Sequence, residues 1–301
     1  MPSSQVRYIF RRPKLPGSLL RAERRSTGAD YDTAFSRKPA ARITRGLAMQ
    51  YLISPATRLL ATPTVVNREV LDTVNTPVVL VANHESHLDT LLLLSILPPR
   101  IRDRVVIGAG ADYFFDRRTK GFLSALLLGA IPIERTRVSR RSSDLSTELL
   151  QSGWSLILFP EGGRTPDGLP QELKAGAAQV ALKVGAPILP IYIDGTYELL
   201  GKGSTRLQPG KTTVICGKPL YPRQGMRPQA LIELVREQLE VLRKEAATDY
   251  WKARSTDASR SFPPASRSWN EAWLSRSHRY RKSGAPSWPR IFGSSSPSEL
   301  D

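Results

Sequence analysis

Asn83, His84, Glu85, Ser86, His87 and Asp89 stand within seven positions, between an apolar run at 76–82 and another that begins at Leu91. Two histidines and two carboxylates between buried-looking segments suggest chemistry of three kinds. The first is zinc binding. In HExxH two histidines lie four apart on one helical face, but His84 and His87 are three apart and follow a strand end, so the pattern does not fit. The second is local structure: Ser86 with Asp89 three residues on, before an apolar run, has the form of a helix capping box. The third is acid–base chemistry. A carboxylate on imidazole Nδ1–H fixes the tautomer and stabilises the imidazolium, leaving Nε2 to take a proton. With no serine in the stretch, the nucleophile would be a hydroxyl of the substrate.

The elements that must position these groups are legible around them. Short apolar runs at 78–82, 105–108, 130–133, 155–159, 188–193 and 213–216 read as strands. Longer patterns at 87–97, 113–128, 142–151, 172–184 and 228–245 read as helices, the first stopped by Pro98-Pro99. Strands alternating with helices predict an α/β fold, a mostly parallel central sheet flanked by helices on both faces. His84 then sits at the carboxyl end of a buried strand, where open α/β sheets bind ligands. Asp89, in the first helical turn, can reach back to it.

The 301 residues allow one sizeable core. The net charge of +17 is uneven. Residues 1–47 hold eleven Lys/Arg against three Asp/Glu, and 249–301 hold nine against five. Basic ends suit an anionic surface, either acidic lipid or nucleic acid; no motif with interleaved aromatics suggests nucleic acid in the folded part. Cys216 is the single cysteine, which rules out an intrachain disulfide and a cysteine-built zinc site. Three regions are expected: a basic disordered tail at 1–42, a domain at 43–248, and a basic Ser/Arg/Trp-rich tail at 249–301. Within the domain, 43–61 is apolar with Arg45 and Arg58 set into it and Pro55 dividing it. It predicts either a helical hairpin or an amphipathic element lying on a membrane. No apolar stretch is long enough for an ordinary membrane-spanning helix. The Arg-rich, Ser-containing N-terminus is also compatible with a targeting segment.

Asn83-His84 with Asp89 five residues on resembles the NHxxxxD motif of the glycerolipid acyltransferases, of the 1-acylglycerol-3-phosphate acyltransferase type. Further blocks follow in that family's order. Gly129-Ala130-Ile131-Pro132-Ile133-Glu134-Arg135 resembles GxxxIxR, and Phe159-Pro160-Glu161-Gly162-Gly163-Arg164-Thr165 resembles FPEGTRS. Leu173-Lys174-Ala175-Gly176-Ala177 resembles FKxGA, and 188–193 the strand VxPVxx. Together they cover roughly 75–220. Gly163 replaces the usual Thr, Thr165 the common Ser, and Pro132 a commonly aromatic or apolar residue; none removes a titratable group.

The resemblance implies transfer of a fatty acyl group from acyl-CoA or acyl-carrier protein to the sn-2 hydroxyl of 1-acylglycerol 3-phosphate. It implies His84 as base, Asp89 as its partner, and Arg135, Glu161, Gly162, Arg164 and Lys174 around a phosphate-bearing acceptor. Two arginines at sheet ends can clamp a phosphate, and a Gly-rich turn lets backbone N–H groups approach it. No metal or other cofactor is implied. The expected location is the cytoplasmic face of the cell membrane, in peripheral or monotopic contact with lipid. Another lysophospholipid or glycerol 3-phosphate as acceptor stays open, as does a non-catalytic membrane- or nucleic-acid-binding protein.

Overall fold

A computed structural model describes residues 28–134 and 140–247 of the chain. Its centre is a sheet of seven strands: β1 (Pro63–Val66), β2 (Val79–Ala82), β3 (Val105–Gly110), β4 (Ala130–Ile133), β5 (Ser155–Leu158), β6 (Ile188–Asp194) and β7 (Thr212–Cys216). The spatial order is β1-β7-β6-β2-β5-β3-β4. Every pairing is parallel except β6 with β7. The helices are α1 (Pro39–Ala48), α2 (Ser54–Ala61), α3 (Glu69–Thr73), α4 (Leu88–Ile96), α5 (Pro99–Arg102), α6 (Ala111–Phe114), α7 (Arg118–Leu123), α8 (Arg140–Gln151), α9 (Gly176–Val184), α10 (Thr196–Leu200) and α11 (Pro228–Ala247).

The unbroken apolar runs of the strands follow from burial on both faces. Leu80 and Ala82 of β2 join a core with Leu92, Leu93, Met49 and Ala61. Val79 and Val81, pointing the other way, join one with α8, α9 and α11 through Leu150, Ala178 and Val235. Leu92–Leu94 are therefore core. Pro132 is tolerated because β4 is an edge strand, paired only with β3.

The six predicted strands form with boundaries shifted by at most two residues. Four expectations need correction. Residues 28–42, expected in a disordered tail, are structured. A 3-10 turn at Ala34–Arg37 leads into α1, Tyr31 packs on Phe115 at 5.3 Å, and Phe35 stacks on Phe122 at 5.1 Å. Aromatic side chains that lack a local period here find partners about 85 residues away. The stretch 43–61, expected as either a helical hairpin or an amphipathic element, is not a hairpin but part of one uninterrupted helical run, 39–61. A wide turn at Met49–Ile53, in which Ser54 N–H bonds Met49 O, comes just before Pro55 and accommodates its missing donor. The single helix expected at 113–128 is broken, because Phe115 turns inward beside Ala109 and Ala130.

Arg45, read as a cation set in a lipid-facing stretch, points into the protein. Its guanidinium donates to Leu126 O (2.9 Å), Ser36 O (2.8 Å) and Ala125 O (3.0 Å). Burial first, then the charges of Arg42 and Arg37, lowers its pKa to about 10, so it stays charged at neutral pH. It fastens α1 to the helical turn Ser124–Leu128 that precedes β4. The terminal segments 1–27 and 248–301 lie outside the described residues.

Candidate active site

β2 and its neighbours β5 and β6 run parallel, so their carboxyl ends bring three connections together. Asn83-His84 follows β2, the loop 159–165 follows β5, and Gly195-Thr196 follows β6. Asn83 ties the first to the third. Its amide donates to Ile193 O at 2.8 Å, and its carbonyl oxygen accepts Ile193 N–H at 2.8 Å.

His84 Nδ1 lies 3.0 Å from Asp89 Oδ2. The side chain of Asp89 is fully buried, while 12% of that of His84 is exposed. No arginine or lysine is paired with Asp89 among the described residues. Its charge is met instead by the amides of Glu85 (2.7 Å) and Ser86 (2.8 Å) on Oδ2 and by Thr196 Oγ1 (2.5 Å) on Oδ1. Because Asp89 faces Nδ1, that nitrogen carries the proton and the lone pair of Nε2 is left free. The capping-box and acid–base readings thus share one carboxylate: Asp89 receives the Ser86 amide at the start of α4 and holds His84 at the same time.

The loop after β5 is docked onto His84 in three ways. The Phe159 ring stacks on the imidazole with centroids 4.1 Å apart. A Glu161 oxygen accepts the His84 amide at 3.2 Å, and the Thr165 amide donates to His84 O at 2.9 Å. Thr165 also closes the next turn, its hydroxyl bonded to Asp167 and receiving the Leu169 amide. Gly162 has φ +74°, and a Cβ there would sit 2.6 Å from Lys174 Nζ, so the glycine makes room for that side chain. Around Gly163 there is open space, so the family's usual threonine would fit.

Of the residues singled out from the sequence, His84, Asp89 and Glu161 come together in direct contact. Gly162 and Arg164 share the docked loop, Arg164 half-buried, and Lys174 is exposed and lies against Gly162. Arg135 lies outside the described residues. His87 turns away from His84 toward Tyr113 and Phe114, at 5.5 and 5.9 Å between ring centroids. Among the described residues no three His, Cys, Asp or Glu side chains are grouped to hold a metal ion. Thr196 was missed; the clue available was Gly-Thr at the carboxyl end of a predicted strand.

Glu161 has an unusual electrostatic position. Burial pushes its carboxyl up to about 8, and the charge on Asp89 adds to this against the opposing pull of the His84 and Gln171 amides. Its Oε2 is buried with no hydrogen-bond partner among the described residues. At neutral pH it is therefore mostly a neutral acid that can offer a proton to a ligand oxygen. The sign of the linkage follows. Between its ordinary value of 4.5 and about 8, the folded state holds a proton that the unfolded chain releases. Stability due to this group accordingly falls as pH rises through that window. Glu161→Gln should shrink the drop in melting temperature between about pH 5 and pH 8; an identical drop in both proteins would contradict the assignment.

The sequence model of the family described as Acyltransferase matches residues 62–194, under half of the chain. A chloroplastic 1-acyl-sn-glycerol-3-phosphate acyltransferase of Brassica napus is 33% identical over 162 residues, 51% of this chain and 43% of that protein. The bovine 1-acyl-sn-glycerol-3-phosphate acyltransferase alpha is 30% identical over 182 residues, 58% of this chain and 60% of that protein. The chain thus spans about half the length of these relatives. The crystal structure of the 1-acyl-sn-glycerophosphate acyltransferase PlsC from Thermotoga maritima shares the fold, with a TM-score of 0.55 and 23% identity over 76% of this chain and 89% of that one. The segment 62–194, which the Acyltransferase family model matches, holds His84, Asp89 and the loop after β5.

Proposed function

We propose that this protein is an O-acyltransferase that moves an acyl group from a thioester, acyl-CoA or acyl-carrier protein, to the sn-2 hydroxyl of 1-acylglycerol 3-phosphate. The observation that carries this reading is the His84 Nδ1–Asp89 Oδ2 contact of 3.0 Å, docked against the loop 159–165. Nε2 of His84 takes the acceptor's hydroxyl proton as the oxygen attacks the thioester carbonyl. Asp89 stabilises the imidazolium that forms. The tetrahedral intermediate collapses with cleavage of the C–S bond, and the departing sulfur takes the proton from Nε2. General base catalysis of this kind contributes roughly 10²–10⁴-fold, the remainder coming from positioning. Arg164 and Lys174 are assigned to the acceptor's phosphate, with Arg135 the further expected cation. Neutral Glu161 is assigned a glycerol oxygen. These relatives' names support the acceptor; the choice of donor rests on the thioester chemistry alone.

The reading includes peripheral attachment to a membrane. Ile43, Leu47, Tyr51 and Leu59 recur every four or eight residues along the run 39–61 and are all more than half exposed. Leu52, Phe122 and Leu123 are exposed as well. An apolar line of this kind on an otherwise anchored helix suits insertion into the headgroup boundary. Among the described residues no helix is long and apolar enough to cross a membrane. The cytoplasmic face is the expected side.

A steady-state assay with lysophosphatidate and acyl-CoA tests the chemistry. His84→Ala should lower turnover at least about a hundredfold, while His87→Ala should stay within about tenfold of the parent. In the same assay Arg164→Lys should raise the acceptor KM several-fold and leave the donor KM nearly unchanged, because lysine lacks the planar fork. Equal losses at His84 and His87 would overturn the base assignment. For attachment, deletion of 1–61 is a poor test, since Arg45, Met49 and Ala61 are part of the packed interior. Replacing Ile43, Leu47, Tyr51 and Leu59 by serine should abolish flotation with vesicles of mixed neutral and anionic lipid; undiminished flotation would refute the apolar docking line.

A further inference from the structure

The two oxygens of Asp89 are served unequally. Oδ2 receives two amides and faces the imidazole. Oδ1 has one donor among the contacts described, Thr196 Oγ1 at 2.5 Å. A carboxylate anchored at one oxygen can still swing about its Cβ–Cγ bond, and the contact to His84 would swing with it. We propose that Thr196 is a positioning residue for acyl transfer, fixing the plane of Asp89 and through it the orientation of His84. This rests on the reaction assigned above.

Four observations carry it. Thr196 opens α10, where a threonine hydroxyl commonly turns to nearby backbone. Here it goes instead to a side chain 107 residues away. The residue is wholly buried, so its hydroxyl is out of reach of bulk water. The turn that delivers it is forced: Gly195 has φ +90°, and a Cβ there would lie 2.7 Å from Lys211 O. Finally, the mount is rigid at both ends. Asn83 grips Ile193 just before the turn, and Ser86 Oγ donates to Leu200 O (2.7 Å) just after it. The segment 193–200 thus braces the stretch 83–89 from behind, with Thr196 at its centre. Such support, from a side chain that never meets substrate, is what holds a reacting pair within productive geometry.

Thr196→Val and Thr196→Ser in the full-length chain test the proposal by two independent readouts. In the acyl-transfer assay, valine should lower kcat about ten- to a hundredfold, short of the roughly 10⁴-fold that follows the wrong tautomer in a serine triad. KM for acceptor and donor should change less than about threefold, and serine should restore kcat to within about threefold. The second readout does not need turnover. The Nδ1–H proton of His84 should give a downfield ¹H resonance, identified by its loss in His84→Ala. Valine should shift or broaden it, and serine should retain it. A valine kcat within about twofold of the parent overturns the proposal, and so does an unshifted resonance, whatever kcat does. If the valine chain melts early, Thr196→Ala is read in the same two ways. If the parent itself transfers no acyl group, the assigned reaction fails, while the resonance still decides whether Thr196 holds the pair.

Discussion

A fully buried carboxylate, Asp89, sits at the centre of this fold with no lysine or arginine paired to it among the described residues. Leaving such a charge unmet in a dry interior costs several kcal/mol. The protein meets it with dipoles: two amides, one hydroxyl and one imidazole. Each donor comes from a different constraint on the chain. The amides exist because 83–89 turns sharply between β2 and α4. The hydroxyl exists because β6 ends beside β2 and Gly195 permits the turn. The imidazole is held in place by the loop after β5. The site therefore depends on three parallel strands keeping their register, and local helix propensity alone would not build it.

The same constraint divides charge between neighbours. Asp89 and Glu161 are both buried and close enough to repel. Asp89 has the donors: two amides and a hydroxyl. Glu161 has one oxygen on the His84 amide and the other without a partner among the described residues, so it keeps its proton. Two carboxyl groups in one site thus stand in different surroundings, one met by several donors and the other, with its pKa raised by burial, keeping its proton.

Much of this was legible in the sequence. The six apolar runs are strands because both sheet faces are covered, and unbroken burial leaves a clear trace. His84 and Asp89 were legible because a strand end, a short spacing and a helix start together leave little geometric freedom. What was not legible depended on distant partners. β1 is four residues long and exists only by pairing with β7. Tyr31 and Phe35 looked like parts of a tail until α7 and its flanks supplied rings for them. Arg45 read as a membrane-facing cation, since nothing local reveals that three carbonyls about 80 residues away, or in the preceding turn, await it. Thr196 lies in a five-residue helix too short to show a period, and its partner is over a hundred positions back.

The central claim is that the negative charge on Asp89, and not only its shape, makes His84 a base. Asp89→Asn isolates that charge. The amide oxygen can take over the Oδ2 position, with its two N–H groups and the imidazole, while the NH₂ turns to Thr196 Oγ1, so the geometry survives. The decisive measurement is kcat for acyl transfer to lysophosphatidate by Asp89→Asn, with its melting temperature recorded alongside. A folded variant with kcat lowered about a hundredfold or more is the predicted result. A folded variant that turns over within about threefold of the parent would contradict the account.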